Sequence, residues 1–408
     1  MITNAITSVP RLPVFGWRSM LGPKDAGVSS ILDRSDAIFT SSGSAAIFHA
    51  LLALGVERGD GVLLPNYHCP TMISPAATLG ARLAFYPIDS RGHPKFEILN
   101  RLDISRVRVL HATHLFGFPT PMAELRRWCD QRNIALLEDC AHAMFGLVDG
   151  RPIGNWGDAS IASLPKFLPA ADGGILLLNG PAQPPRLSSR TFKATLHAIK
   201  DIAEIGAMAG ALPGLNQMLM GGSSLIRWIR GTGARPESGS SDIESPFPKA
   251  SARSNTKYFD SSLAKRQSTA PSRWVAKSLP RARVVDRRRA NYRRLSEELR
   301  HSSVLRPLFP DLPEGVVPYM FPLWVDQPDP GCERLRAQGI PVFRWDRLWA
   351  GASQDAGDYG TTWAHHVLQI PCHQDIGERE LTWMVRVLLE VFTEDKRFTL
   401  DTRSTSTP

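Results

Sequence analysis

Cysteine is scarce in this chain: five in 408 residues, at positions 69, 129, 140, 332 and 372. They form no CxxC pair and no regular rhythm, which excludes a disulfide-stapled scaffold. Each reads as a small apolar residue, and no metal ligand is assigned. No apolar run approaches the ~20 residues that cross a bilayer, so no membrane span is expected. The first residues lack a basic stretch followed by an apolar one, and the expectation is a cytoplasmic protein. No internal repeat is visible. Acidic residues are outnumbered 39 to 48 by Lys and Arg, yet seven arginines crowd between Arg281 and Arg294. Their spacing reads as the solvated face of a helix whose apolar stripe is Val285, Tyr292, Leu295 and Leu299. No recognition module accompanies the charge, so nucleic-acid binding is not expected.

What is present is a hydrophobic content of 43%, enough for a large core at a length that favours two domains. From about residue 36 to 180, short apolar runs alternate with helical patterns. Ser44 to Leu54 reads as a helix that stops at Gly55. The runs 62–64, 83–86, 107–110, 134–137 and 175–178 read as buried strands, with a helix over Met122, Leu125 and Trp128. This alternation predicts an α/β fold with a mostly parallel sheet covered on both faces. Residues 187–230 read as a helical insertion interrupted by glycines, with Ile202, Ile205, Met208 and Leu212 packing into the core or forming a partner surface. Residues 231–256 are rich in Ser, Gly and Pro and read as a flexible linker. The large domain is therefore expected over 1–256. A small C-terminal α+β domain is expected over 257–398, with strands at 320–325 and 340–343 and helices at 333–338 and 378–392. The tail 399–408 is expected to be disordered.

Three segments carry chemistry. Ser41-Ser42-Gly43-Ser44 lies where a turn feeds a helix, so free N–H groups and the positive dipole end can receive a phosphate. Gly43 allows close backbone approach, and Ser42 or Ser44 either adds a hydroxyl or caps the helix. Asp139 ends the apolar strand 134–137 and emerges at the C-terminal edge of the sheet, where such folds bind ligands. A carboxylate there can pair with a pyridinium nitrogen, while Glu138 points to the opposite face. His142 falls three residues on, within reach of the same ring. Lys166 follows a strand pattern, between Pro165 and Pro169, in surroundings that lower an amine's pKa and favour Schiff-base chemistry. Asp172-Gly173-Gly174 reads as a hairpin into strand 175–178. A phosphate turn, a strand-end aspartate and a lysine, in that order, specify pyridoxal 5′-phosphate.

On these residues the chain resembles the DegT/DnrJ/StrS family of pyridoxal-phosphate sugar aminotransferases, as a divergent member. Ser42-Gly43-Ser44-Ala45-Ala46 matches the family's SGTAAL, and Val62-Leu63-Leu64-Pro65 its VIVP strand. His114-Leu115-Phe116-Gly117 matches HLYG, Glu138 to Ala143 matches EDAAHA, and Ser160 to Gly174 the serine–lysine loop ending in DGG. The resemblance implies the fold type I transferase architecture and a homodimer. It implies that Lys166 is the cofactor-bonding, catalytic lysine and that Asp139 meets the pyridine nitrogen. Gly43, Ser44 and Ser160 or Ser163 are implied for the phosphate, and His142 beside the cofactor. Cys69 stands where the family carries a ring-stacking aromatic, and Tyr67 is the substitute. The family's GxNxRM segment has no counterpart in residues 187–275, Asn255 included. The implied reaction carries an amino group from an amino acid, glutamate by family habit, to a keto sugar or sugar nucleotide. A pyridoxal-phosphate lyase or dehydratase, and a non-catalytic regulator or scaffold on the same fold, are the rival readings.

Overall fold

The computed structural model describes residues 6, 8–25, 27–214, 258–352 and 357–404. The expected linker, the end of the helical insertion from 215 and Asn255 lie outside the described residues.

The large sheet has seven strands in the order β1-β9-β8-β5-β4-β2-β3. These are β1 (Ile38–Thr40), β2 (Gly61–Pro65), β3 (Arg82–Tyr86), β4 (Val107–Thr113), β5 (Ala135–Asp139), β8 (Ala159–Ser163) and β9 (Gly174–Leu178). A small hairpin, β6 (Leu147–Val148) and β7 (Arg151–Pro152), lies between β5 and β8 in sequence. Strands β3, β2, β4, β5 and β8 run parallel, while β9 is reversed and pairs antiparallel with both β8 and the edge strand β1. β2 is buried along its whole length, as a strand covered on both faces should be, which is why its sequence is a continuous apolar run rather than an alternating one. Helix α1 (Gly43–Ala53) packs on β8 and β9, and α2 (Pro70–Thr78) lies against α1. Helix α3 (Met122–Asp130) buries Met122, Leu125, Trp128 and Cys129 against β4 and β5.

Past the insertion helix α4 (Phe192–Met208), helices α5 (Ala270–Ser278) and α6 (Ala282–Leu299) lead to a second, three-stranded antiparallel sheet. It comprises β10 (Leu305–Pro307), β11 (Met320–Val325) and β12 (Val367–Pro371), with helices α7 (Gly331–Ala337), α8 (Tyr359–His366) and α9 (Glu378–Ser404). Leu295, Leu299, Phe321, Leu323, Leu368 and Leu388 belong to its separate core.

Several expectations shift. Residues 340–343 form no strand; Phe343 alone bridges to Gln369, because Pro341 has no N–H to donate. The sheet is completed by β10 and β12 instead. The closing helix continues beyond Phe392 to Ser404. In α4, Ile205 and Met208 are exposed, at 53% and 85%, rather than packed in the core. The small residues Ala198, Gly206 and Ala207 face inward instead. A Cβ on Gly206 would lie 2.1 Å from the Phe15 carbonyl, so the chain approaches too closely for a larger side chain. The arginines of α6 do not all face solvent either: Arg288 is fully buried on the same side as Val285, Tyr292 and Leu295.

Two buried histidines tie loops to this frame in their neutral form. His68 stacks on Phe85 and sits between the Pro65 carbonyl and the Trp349 N–H, which donates to Nε2. His373 bonds the Pro10 carbonyl. Burial lowers both pKa values from 6.5 to about 4. Unfolding frees each ring to bind a proton, so their contribution is complete above pH 6.5 and is lost as pH falls toward 4. Urea unfolding should lose roughly 3 kcal/mol per histidine across that window, and His68→Gln should make the pH dependence shallower.

Candidate active site

Strand alternation sends the two carboxylates at the end of β5 to opposite faces. Glu138 is fully buried and accepts five donors. They are the N–H groups of Gly154, Trp156 and Gly157 at 2.8, 2.9 and 3.2 Å, the Ser160 hydroxyl at 3.2 Å and His114 Nε2 at 3.2 Å. His114 accepts the Thr120 N–H at Nδ1, so Nε2 carries the proton. The pKa of Glu138 is lowered: burial opposes this, but the His114 hydrogen bond and the loop amides outweigh it. His114, Glu138 and Cys140 present their donor atoms within 4.8 Å of one another. The five bonds already occupy the carboxylate, and the cluster reads as a brace for the loop leading into β8.

Asp139 faces the other way. His111, on β4, donates from Nε2 to its Oδ2 at 2.8 Å, and the Ala141 N–H donates to Oδ1 at 2.8 Å. His111 Nδ1 is buried without a hydrogen-bond partner, and the Tyr86 hydroxyl holds its carbonyl. Burial would raise the pKa of Asp139, yet it is lowered, because His111, the Lys166 charge and the Ala141 amide prevail. The carboxylate is held ionised at the mouth of the sheet.

Lys166 closes a one-turn helix, Leu164–Lys166, directly after β8. Burial lowers its pKa, against the charge of Asp139, which ends the strand β5 that pairs in parallel with β8. Its Nζ lies 5.3 Å from the Tyr319 ring centre. Tyr319 stacks on His142 at 4.4 Å, and Trp345 stands between His142 and Tyr67 at 5.2 and 4.9 Å. His142 accepts the Phe116 N–H, and burial first, then the Lys166 charge, hold its pKa well below 6.5. Tyr67 is fully buried among Phe116, Trp345 and Trp363, and its hydroxyl accepts from Gln369.

The turn opening α1 lies on the same edge. Ser42 caps the helix by accepting the Ala45 N–H, and the Ser44 hydroxyl donates to the Thr71 carbonyl. Both hydroxyls of the expected pair are therefore engaged, while the buried Ser41 hydroxyl beside them has no partner. A Cβ on Gly43 would lie 3.2 Å from Cβ of Ser163, and one on Gly174 would lie 2.3 Å from the Ser42 carbonyl. The turn thus sits against the end of β8 and the Gly173-Gly174 turn, with only glycine fitting at the second contact. Ser163 borders the turn; Ser160 lies on the other face, bonded to Glu138.

The structure therefore brings Gly43, with Ser42 and Ser44 beside it, against Ser163, and places Asp139 and Lys166 at the ends of paired strands, with His142 stacked on the Tyr319 ring that Lys166 faces. Sequence reasoning assigned no individual role to Ser41, His111, Tyr319 or Trp345. His111 had a faint signal, as a polar residue within the largely buried strand β4. Thr113, of the same parity, pairs in register with Asp139. Tyr319 and Trp345 carry no local signature.

Comparison with known proteins bears on this geometry. Residues 25–216 match the family model of the DegT/DnrJ/EryC1/StrS aminotransferase family. GDP-perosamine synthase of Vibrio cholerae is 28% identical over 171 residues, covering 40% of this chain and 47% of that protein. The dTDP-4-dehydro-2,3,6-trideoxy-D-glucose 4-aminotransferase of Saccharopolyspora spinosa is 27% identical over 42% of this chain and 44% of that protein. The matched stretch is thus less than half the length of either relative. The crystal structure of DesI with its TDP-sugar product superposes with a TM-score of 0.62 at 19% identity, covering 90% of this chain and 83% of that chain. This last likeness shows a shared fold.

Removing the Glu138 brace strands three loop amides in a dry interior. Glu138→Leu should cost about 4 kcal/mol or more in urea unfolding. Asp326→Asn, which breaks an exposed pair with Arg306, should cost under about 1 kcal/mol.

Proposed function

Because residues 25–216 belong to the DegT/DnrJ/EryC1/StrS aminotransferase family, we propose that this chain is a cytoplasmic pyridoxal-phosphate aminotransferase. It moves an amino group from an amino acid, glutamate first, to the keto group of a sugar or sugar nucleotide. The observation that carries this reading is the placement of Asp139 and Lys166 at the C-terminal ends of the paired parallel strands β5 and β8, Asp139 ending the first and Lys166 closing the turn after the second. The protein-side requirements of the cofactor are met there. A helix N-terminus with an unpartnered buried hydroxyl on Ser41 suits a phosphate. An ionised aspartate held by a histidine suits a ring N–H. When bound, pyridoxal 5′-phosphate supplies an aldehyde that takes up amines and a cationic ring that accepts an electron pair.

The chain's own residues divide the remaining work. The amides of Gly43 and Ser44, with the hydroxyls of Ser41 and Ser163, would hold the phosphate. Asp139, oriented by His111, would hold the ring nitrogen protonated. His142 and Tyr319 form an aromatic wall, and the burial that depresses their surroundings' polarity excludes water. Lys166 Nζ, more readily neutral than an exposed amine, serves as nucleophile and then carries a proton from the donor's Cα. Retention of this lysine favours transamination over the dehydratase chemistry of those relatives in which a histidine replaces it. The exposed side chains of Phe192 and Met208 on α4 suit coverage by a second copy, in keeping with a homodimer.

Purified protein mixed with pyridoxal phosphate should acquire a visible band that bleaches with glutamate and returns with a keto-sugar nucleotide, the amino sugar being identified by mass spectrometry. Lys166→Ala should abolish both the band and turnover. Asp139→Asn should retain binding but lower kcat about 10³-fold, or ~4 kcal/mol. Release of free ammonia with no bleached form would instead establish a lyase, and no band at all would reject the proposal.

A further inference from the structure

Arg288 breaks the pattern of its own helix. Arg283, Arg287 and Arg294 of the same helix pair with carboxylates and keep part of their surface exposed, yet Arg288 is fully buried. A guanidinium in a dry core is costly, and an apolar side chain of similar volume would ordinarily serve the packing at least as well. Burial lowers its pKa to about 10, so it remains a cation at neutral pH. All four of its hydrogen bonds go to uncharged oxygens. Nε donates to Gln374 Oε1 at 2.9 Å, and Nη1 donates to the carbonyls of Pro318 and Tyr319, each at 3.0 Å. Nη2 donates to the Lys166 carbonyl at 2.7 Å. Gln374, itself buried, donates from Nε2 to the Phe167 carbonyl at 2.9 Å. The Phe167 ring lies 4.4 Å from the guanidinium carbon.

The lysine loop needs such a hold. On its leading side, the Leu164 N–H donates to the Gly173 carbonyl, and Phe167 and Leu168 close back on Leu164. Pro165 and Pro169 have no N–H to contribute. The trailing side can therefore be fastened chiefly through its carbonyls, and two consecutive ones are gripped by Arg288 and Gln374. The same guanidinium holds the backbone of Tyr319, whose ring lies over Lys166 Nζ. One side chain thus sets both the anchor of the amine and the wall beside it.

We propose that Arg288, braced by Gln374, is a positioning residue that fixes where Lys166 Nζ stands relative to Asp139 and Tyr319. It couples the C-terminal part of the chain to the site. The inference rests on the role assigned to Lys166 above, and it is testable without cofactor or turnover. The groups around the amine are Asp139, whose charge acts on it, Cys69, His142 and the Tyr319 ring.

In the cofactor-free protein, acylation of Lys166 by an amine-selective reagent can be followed against pH by peptide mass spectrometry. This gives the amine's pKa directly. Loosening the loop admits water, so Arg288→Lys and Gln374→Leu should each raise that pKa by about one unit. Arg289→Lys is the control. Arg289 bonds the carbonyls of Pro313 and Val316 instead of the lysine loop, so this variant should leave the amine unchanged even if Tm falls. Folded Arg288→Lys and Gln374→Leu proteins with wild-type Lys166 profiles would overturn the proposal, whatever their Tm. Failure of the functional reading looks different: wild type would show the depressed amine but take up no pyridoxal phosphate.

Discussion

Glu138 and Asp139 leave the end of β5 on opposite faces of the sheet, and the rest of the site depends on that alternation. The inner carboxylate anchors the loop 154–157 and Ser160 of β8. The outer one is held by His111 and the Ala141 amide at the C-terminal end of β5, the parallel neighbour of the strand that leads to the amine. A shift of one residue in register would exchange the two, burying a charge without donors and removing the anion from the pocket. The parallel ladders β4–β5 and β5–β8 hold that register.

Both carboxylates have a histidine from the β4 side, His114 for Glu138 and His111 for Asp139. Neither pair is an exposed ion pair of little worth. Each lies in the interior, where an unpaired charge is severely penalised and a hydrogen-bonded one is strongly oriented. Polar groups of this kind cost stability relative to an apolar core of equal volume. Their retention is understandable where geometry matters more than stability, and Arg288 extends the same logic to the lysine loop from the opposite side.

The glycines at the site act by absence of a side chain. Gly174 has its backbone against the Ser42 carbonyl, where a Cβ would collide at 2.3 Å. This contact brings the turn at the start of α1 against the hairpin that follows the lysine. Residues far apart in sequence thereby share one edge, and the unpartnered Ser41 hydroxyl comes to lie there.

The sequence by itself determined the alternating strands and helices, because strands covered on both faces must be continuously apolar and helices must carry a stripe. It also determined the turn, aspartate and lysine as a chemical set, since each follows a local signal: a glycine-bearing turn before a helix, a charged residue ending an apolar strand, a lysine fenced by prolines. Only the tertiary structure decided which hydroxyls are spent. Ser42 caps, Ser44 holds Thr71, and Ser160 turns to Glu138, leaving Ser41 and Ser163 at the edge. It likewise decided that residues 340–343 lose strand pairing to Pro341, that α4 turns its small residues inward, and that Arg288 is buried among arginines that are not. The reason is common to all of them. Periodicity records which face of an element is apolar, whereas the partner of a polar group is set by distant chain brought close by folding.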